Sequence, residues 1–143
     1  MLRLIVLLSS LVTFMLNAEV AITDATIRLL PPGVPNTAAY FSLQNSSDKK
    51  LTLIGATAGF ATKAEIHNHV MVNNMMSMQQ QSEVVIESGK KVQFAPGGLH
   101  IMLFGLTHPL QAGQSLTISL QTKEGKVIDV IANVARPAAH SHH

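Results

Sequence analysis

Two histidines and two methionines stand in one spacing: His67, ten residues, Met78, twenty-one residues, His100, one residue, Met102. Imidazole and thioether together make a soft donor set that contains no thiolate. Such a set suits Cu(I) better than the other common biological metals. The chain has no cysteine, so a copper site here must be built from His and Met alone. Free thiolates outside the cytoplasm oxidise to disulfides, whereas thioethers cannot be cross-linked that way. Met sulfur also needs no deprotonation, so protons compete with the metal only at the two imidazoles.

The placing of methionine agrees. Beyond Met1 and Met15, the remaining five lie between 71 and 102, and four of them fall within 71–78. Methionine used to fill gaps in a core would scatter. Clustering in a segment flanked by Asn73-Asn74 and Gln79–Gln81 argues for sulfur chemistry and leaves Met78 partly exposed, as suits a donor that hands metal on. His69, Met71, Met75 and Met76 are extra donors. They read either as an auxiliary ring that accepts or passes copper or as local packing in a mobile loop; the sequence leaves both open for His69 and Met76 and favours packing for Met71 and Met75. His108 precedes Pro109 in a turn and reads as structural. The tail His140-Ser141-His142-His143 is a separate signal, since short His-rich tracts bind borderline ions such as Cu(II), Zn(II) and Ni(II). It is a candidate Cu(II) site.

These donors need a frame. Apolar-alternating runs recur at 20–28, 38–43, 51–57, 64–70, 75–80, 91–94, 100–104, 115–121 and 127–134. Breaks fall at Pro31-Pro32-Gly33, Asn45–Asp48, Gly89, Pro96-Gly97-Gly98, Gly113 and Glu124-Gly125. Many short strands with regular turn signals predict an antiparallel β-sandwich or barrel. Alternation puts His100 and Met102 on one face of their strand, with Ile101 and Leu103 on the other. Gly97-Gly98 lets the chain turn just before that strand and places its end near a rim.

The spacing and its flanks carry a resemblance. His67…Met78…His100-Ile-Met102 resembles the H-x10-M-x21-H-x-M signature of the PCu(A)C family of periplasmic copper chaperones. Ala-Glu-Ile-His at 64–67, Pro-Gly-Gly-Leu-His-Ile-Met-Leu at 96–103, Gly105-Leu106, Pro31-Pro32-Gly33 and Thr37–Phe41 are similar too. The similarity spans 20–134. It implies an antiparallel Greek-key β-sandwich of cupredoxin-like kind, with Cu(I) held by His67, Met78, His100 and Met102. It further implies delivery of copper toward the copper subunit of cytochrome c oxidase, directly or through a thiol-bearing copper chaperone. A copper-buffering or resistance protein that binds the same ion without a dedicated acceptor is the alternative.

Composition narrows the field. Arg3 followed by the apolar run 4–16 and by Asn17-Ala18 reads as a secretory signal peptide, too short for a membrane span. Cleavage after Ala18 leaves one domain, 19–134, and a flexible His-rich tail, 135–143, in a periplasmic protein without stable membrane insertion. No cysteine follows the apolar run, which excludes lipid attachment of the bacterial kind. Without Arg3 the chain has nine Lys/Arg against eight Asp/Glu. With no basic stripe, no Trp and one Tyr, nucleic acid is not an expected partner. A blue-copper electron carrier needs a Cys thiolate. No Ser or Thr sits in a nucleophile elbow, so the chain reads as a monomeric carrier and not an enzyme.

Overall fold

The computed structural model describes residues 19–137; the expected leader, 1–18, and His140–His143 lie outside the described residues. Among the described residues there are ten strands: β1 (Val20–Arg28), β2 (Thr37–Asn45), β3 (Leu51–Ala58), β4 (Ala61–Val72), β5 (Met75–Gln80), β6 (Val84–Ile86), β7 (Lys91–Phe94), β8 (His100–Leu106), β9 (Ser115–Thr122) and β10 (Val127–Ala135). Nine coincide with the alternating runs of the sequence. The tenth, β6, has three residues, too few to show a period. It is held by its pairing with Leu51–Leu53.

One sheet runs β5-β4-β8-β2-β1-β10-β9-β3-β6, with β7 added to β2. A further pairing, Ala56 with Ala64, joins β3 to β4 and curls the sheet into a closed, sandwich-like wall. Among the described residues all pairings are antiparallel except β1 with β10, which is parallel. Ala135, expected in the mobile tail, instead closes β10 opposite Arg28, and its carbonyl accepts the Leu29 N–H. The parallel pairing therefore extends the ordered strand by one residue beyond the expected domain end.

Inside the wall lie Ile27, Phe41, Leu43, Leu53, Ile66, Phe94, Ile101, Leu103, Ile118 and Leu120, all essentially inaccessible. Phe41 stacks on Phe94 with centroids 4.4 Å apart. That stack ties β7 to β2, and β7 and β8 share one edge of β2: Phe41–Gln44 pairs with β7 and Thr37–Ala39 with β8. Between them the chain turns at 95–99, with Ala95 N–H donating to Leu99 O and Gly98 N–H to Ala95 O. Gly97 sits at φ +83°, a left-handed conformation that costs glycine nothing. The turn sets where β8 begins and makes His100 its first residue.

β4 is the longest strand and carries β5 back on itself through a two-residue loop. Asn73 and Asn74 adopt φ 50° and 62° between the paired Val72 and Met75. Two consecutive positive φ values are what a type I′ hairpin turn requires, and asparagine tolerates them better than most residues.

Candidate metal centre

Alternation along three neighbouring strands builds the site. On β4, Ile66 points into the core, so Glu65, His67, His69 and Met71 face outward. On β8, Ile101 and Leu103 point inward and His100, Met102 and Phe104 outward. The register then fixes neighbours. His67 lies directly across from His100, and Glu65 across from Met102. On the other side of β4, Gln80 lies across from His67, Met78 across from His69, and Met76 across from Met71. All four residues of the spacing thus share one face, with His67 at its hub. His100 is its direct partner; Met78 and Met102 are its diagonal neighbours, about 7–8 Å away between backbones and within reach of long side chains.

The histidines are close enough to share an ion. An imidazole–metal bond of about 2.0 Å puts the ring centroid about 3.2 Å from the ion, so two rings on one ion stand about 5–6 Å apart. The centroids of His67 and His100 are 5.9 Å apart, and those of His69 and His100 5.1 Å. Among the described residues no three His, Asp or Glu side chains are arranged to hold a metal ion by themselves.

Hydrogen bonds decide which nitrogens are free. His100 Nδ1–H donates to the Gly98 carbonyl at 2.9 Å, leaving the Nε2 lone pair unused. Burial holds the His100 pKa below its ordinary 6.5, helped by the nearby His69 and His67 and opposed by the Gly98 bond. His100, 3% exposed, is thus neutral at neutral pH, the form that ligates. His67 Nε2 lies 2.7 Å from Glu65 Oε2. With its proton there, the Nδ1 lone pair is free, and Nδ1 is buried with no partner. His69 Nδ1 is buried and unpartnered as well. A buried acceptor without a partner is costly in a folded protein, and a metal would satisfy it.

Glu65 joins two partners. Its Oε2 takes the His67 bond, and Oε1 lies 3.2 Å from Lys63 Nζ. The His67 bond is the first cause, and Lys63 a lesser one, that hold its carboxyl below the ordinary carboxylate range; burial opposes them. A carboxylate behind a ligating imidazole orients the ring and raises its basicity. Lys63 also lies over the Phe104 ring at 4.6 Å, and Phe104 stands 5.9 Å from His67, an apolar flank to the face.

Sequence reasoning treated Glu65 only as flanking text and missed the Gly98 carbonyl, Lys63 and Phe104. The signal for Glu65 was present: a residue two before His67 on a strand must share its face. The Gly98 contact depends on the turn geometry and left no pattern to read. His108 lies apart, its ring against the Thr107 hydroxyl.

The profile of the family described as "Putative lipoprotein LpqE-like" matches residues 20–134. "Putative lipoprotein Lxx21020" of Leifsonia xyli subsp. xyli (strain CTCB07) is 33% identical over 116 residues, covering 80% of this chain and 69% of that protein. Cu(I)-bound DR1885 from Deinococcus radiodurans superposes with a TM-score of 0.65 at 31% identity, over 80% of this chain and 76% of that one. Its apo form superposes with a TM-score of 0.65 at 29% identity, over 87% and 83%. The copper-bound PCuAC domain from PmoF2 gives a TM-score of 0.68 at 19% identity, over 84% and 95%, a likeness of fold. The chain thus has the β-rich, cupredoxin-like architecture of these neighbours.

Proposed function

The chain belongs to the LpqE-like family, and from that premise we propose that it is an exported copper carrier. It holds one Cu(I) on His67, Met78, His100 and Met102 and passes it on. The observation that carries this reading is the register: residues spaced over 36 positions of sequence meet on one face of three paired strands, around His67. Copper-bound DR1885, at 31% identity, supports the choice of ion.

Each side chain has its part. His67 and His100 offer free nitrogens on tautomers set by Glu65 and the Gly98 carbonyl. The thioethers add soft donors that no proton contests. The acceptor is the copper site of cytochrome c oxidase, reached directly or through a thiol-bearing chaperone, by an incoming ligand that displaces one methionine before the other donors release. The protein works outside the cytoplasm after cleavage at Ala18; intact-mass measurement on exported protein should find a chain beginning near Glu19, and a retained 1–18 would remove the soluble periplasmic reading. Relatives named as lipoproteins fit export, although no cysteine among these 143 residues is there to take a lipid.

Transfer is the test. Cu(I)-loaded protein is mixed anaerobically with the apo soluble copper domain of an oxidase, and copper is measured on each after separation. Movement onto the acceptor is expected. Retention on the donor, with Cu(I) binding otherwise intact, would leave a buffering protein in place of a carrier.

A further inference from the structure

The β4–β5 hairpin reaches past the four proposed ligands, and its outer face continues the same chemistry. Met71 lies directly across from Met76, and His69 directly across from Met78. The four occupy the corners of a two-by-two block with one imidazole and three thioethers. Met71 and Met76 are 62% and 57% exposed, so neither is packing the core. At the inner edge of the block, His69 Nδ1 is buried with nothing to bond. Met75, paired with Val72 on the opposite face, is outside the block.

We propose that this block is a second Cu(I) site, weaker than the first, formed by His69, Met71 and Met76 and sharing Met78 with it. Diagonal positions on a strand pair are about 7–8 Å apart, so the block's centre is about 4 Å from each backbone. A thioether sulfur two bonds past Cβ, with a metal–sulfur bond of about 2.3 Å, spans that distance. Three thioethers and one imidazole select a soft ion over Zn(II) or Mg(II). Exposure makes the block the first donor set an arriving ion meets. Because Met78 belongs to both sets, an ion on the block moves inward by ligand exchange: it keeps Met78 while His67, His100 and Met102 replace His69, Met71 and Met76. No electron or proton need move. The choice of ion rests on the copper reading above, while the block itself rests on register and exposure.

The test is an anaerobic Cu(I) titration of the full chain with His140, His142 and His143 changed to Ser, labelled with 13C-methyl methionine and followed by methyl NMR and by a competing chromophoric chelator. The first equivalent should shift the Met78 and Met102 methyls, and the second those of Met71 and Met76 but not Met75. Met71→Leu with Met76→Leu, close in volume and harmless to an exposed face, should weaken the second step at least about tenfold and leave the first within about threefold. His100→Ala should weaken the first step and keep the second. Met71 and Met76 methyls that stay still through two equivalents, or a double variant that keeps the second step, would overturn the proposal. A second step on Met71 and Met76 without movement of Met78 and Met102 at the first equivalent would support the block and refute the inner ligand set instead.

Discussion

Glu65→Gln isolates one physical term at the proposed site. Gln is nearly isosteric and still accepts a hydrogen bond from His67, so the substitution removes the charge behind the ligand and keeps the contact. From Glu65 Oε2 the path runs through the 2.7 Å bond and across the ring to an ion on Nδ1, about 6–7 Å in all. A unit charge at that distance is worth about 0.6 kcal/mol in water and about 2.5 kcal/mol at an effective dielectric constant of 20. Glu65 and His67 side chains are only 17% and 12% exposed, so the value belongs in the upper half of that range. Outer partners of metal ligands typically change affinity about 10–100-fold. Glu65→Gln should therefore weaken Cu(I) about 10–50-fold in a chelator competition at neutral pH. Its carboxyl, held below the ordinary 4.5 first by the His67 bond, is fully ionised under those conditions. Apo stability at neutral pH should fall only slightly, because Gln keeps the contact to His67 and loses only the charge that the fold favours. Lys63→Ala, which removes the opposing cation, should leave Cu(I) binding equal or slightly tighter. An unchanged Cu(I) affinity in Glu65→Gln would refute ligation by His67 through a ring that Glu65 polarises.

Met78→Leu and Met102→Leu should each weaken Cu(I) binding with little effect on apo stability, the volumes being close; His100→Ala should weaken it more and also destabilise the fold, since it empties a buried position. All three binding like the parent would refute the ligand set. Cu(I) affinity should be flat above neutral pH and fall below about pH 6 as imidazoles protonate, and full affinity retained at pH 4.5 would refute imidazole ligation. Apo stability should fall in the same direction: His100 has a depressed pKa, so on acidification below 6.5 the unfolded chain binds that proton before the folded one does. Glu65, also depressed, adds a loss of the same sign as pH falls through 4.5 and below, and a urea-unfolding series across pH would read both. Replacing His140, His142 and His143 by Ser should lower Cu(II) uptake and leave Cu(I) affinity intact; equal Cu(II) stoichiometry would mean the tail binds none. The chelated protein should melt cooperatively, with copper raising the midpoint by the logarithm of free Cu(I), whereas no cooperative transition under chelator would make copper structural.

Local pattern carried most of the strands. Period-two alternation located β8 and sent Ile101 and Leu103 inward, and so His100 and Met102 outward, before any pairing was known. What pattern could not supply was register. Whether Met78 or Gln80 stands opposite His67 depends on the Asn73-Asn74 turn, because a two-residue loop pairs Val72 with Met75 and every later pair follows. His69 therefore gained a meaning that its spacing alone left open: it is the direct partner of Met78. The parallel β1–β10 pairing joins segments about a hundred residues apart, and no local signal announces such a contact. It is why Ala135 read as tail and folds as strand. Glu65 was legible by parity but not by chemistry, since a carboxylate near a soft-donor site has no reason to be noticed until its bond to His67 is seen.

On the proposed reading, a carrier must hold its ion against free solution and still let go to a partner, and the placing of the proposed donors separates the two demands. His67 and His100 sit on β4 and β8, strands paired on both sides within the sheet, and their rings are fixed by Glu65 and the Gly98 carbonyl. In the proposed site their geometry is thus set before an ion would arrive, so little ordering entropy would oppose binding. Met78 lies on β5, the terminal strand of the sheet path, and is 45% exposed. A thioether there is open to solvent, and so to an incoming ligand. In the proposed site the release order follows from position: an incoming thiolate or imidazole displaces Met78 first, while the less exposed imidazoles still hold the ion. At no point does copper need to become free, and an ion that is never free cannot be lost to the solvent or to other metal sites along the way.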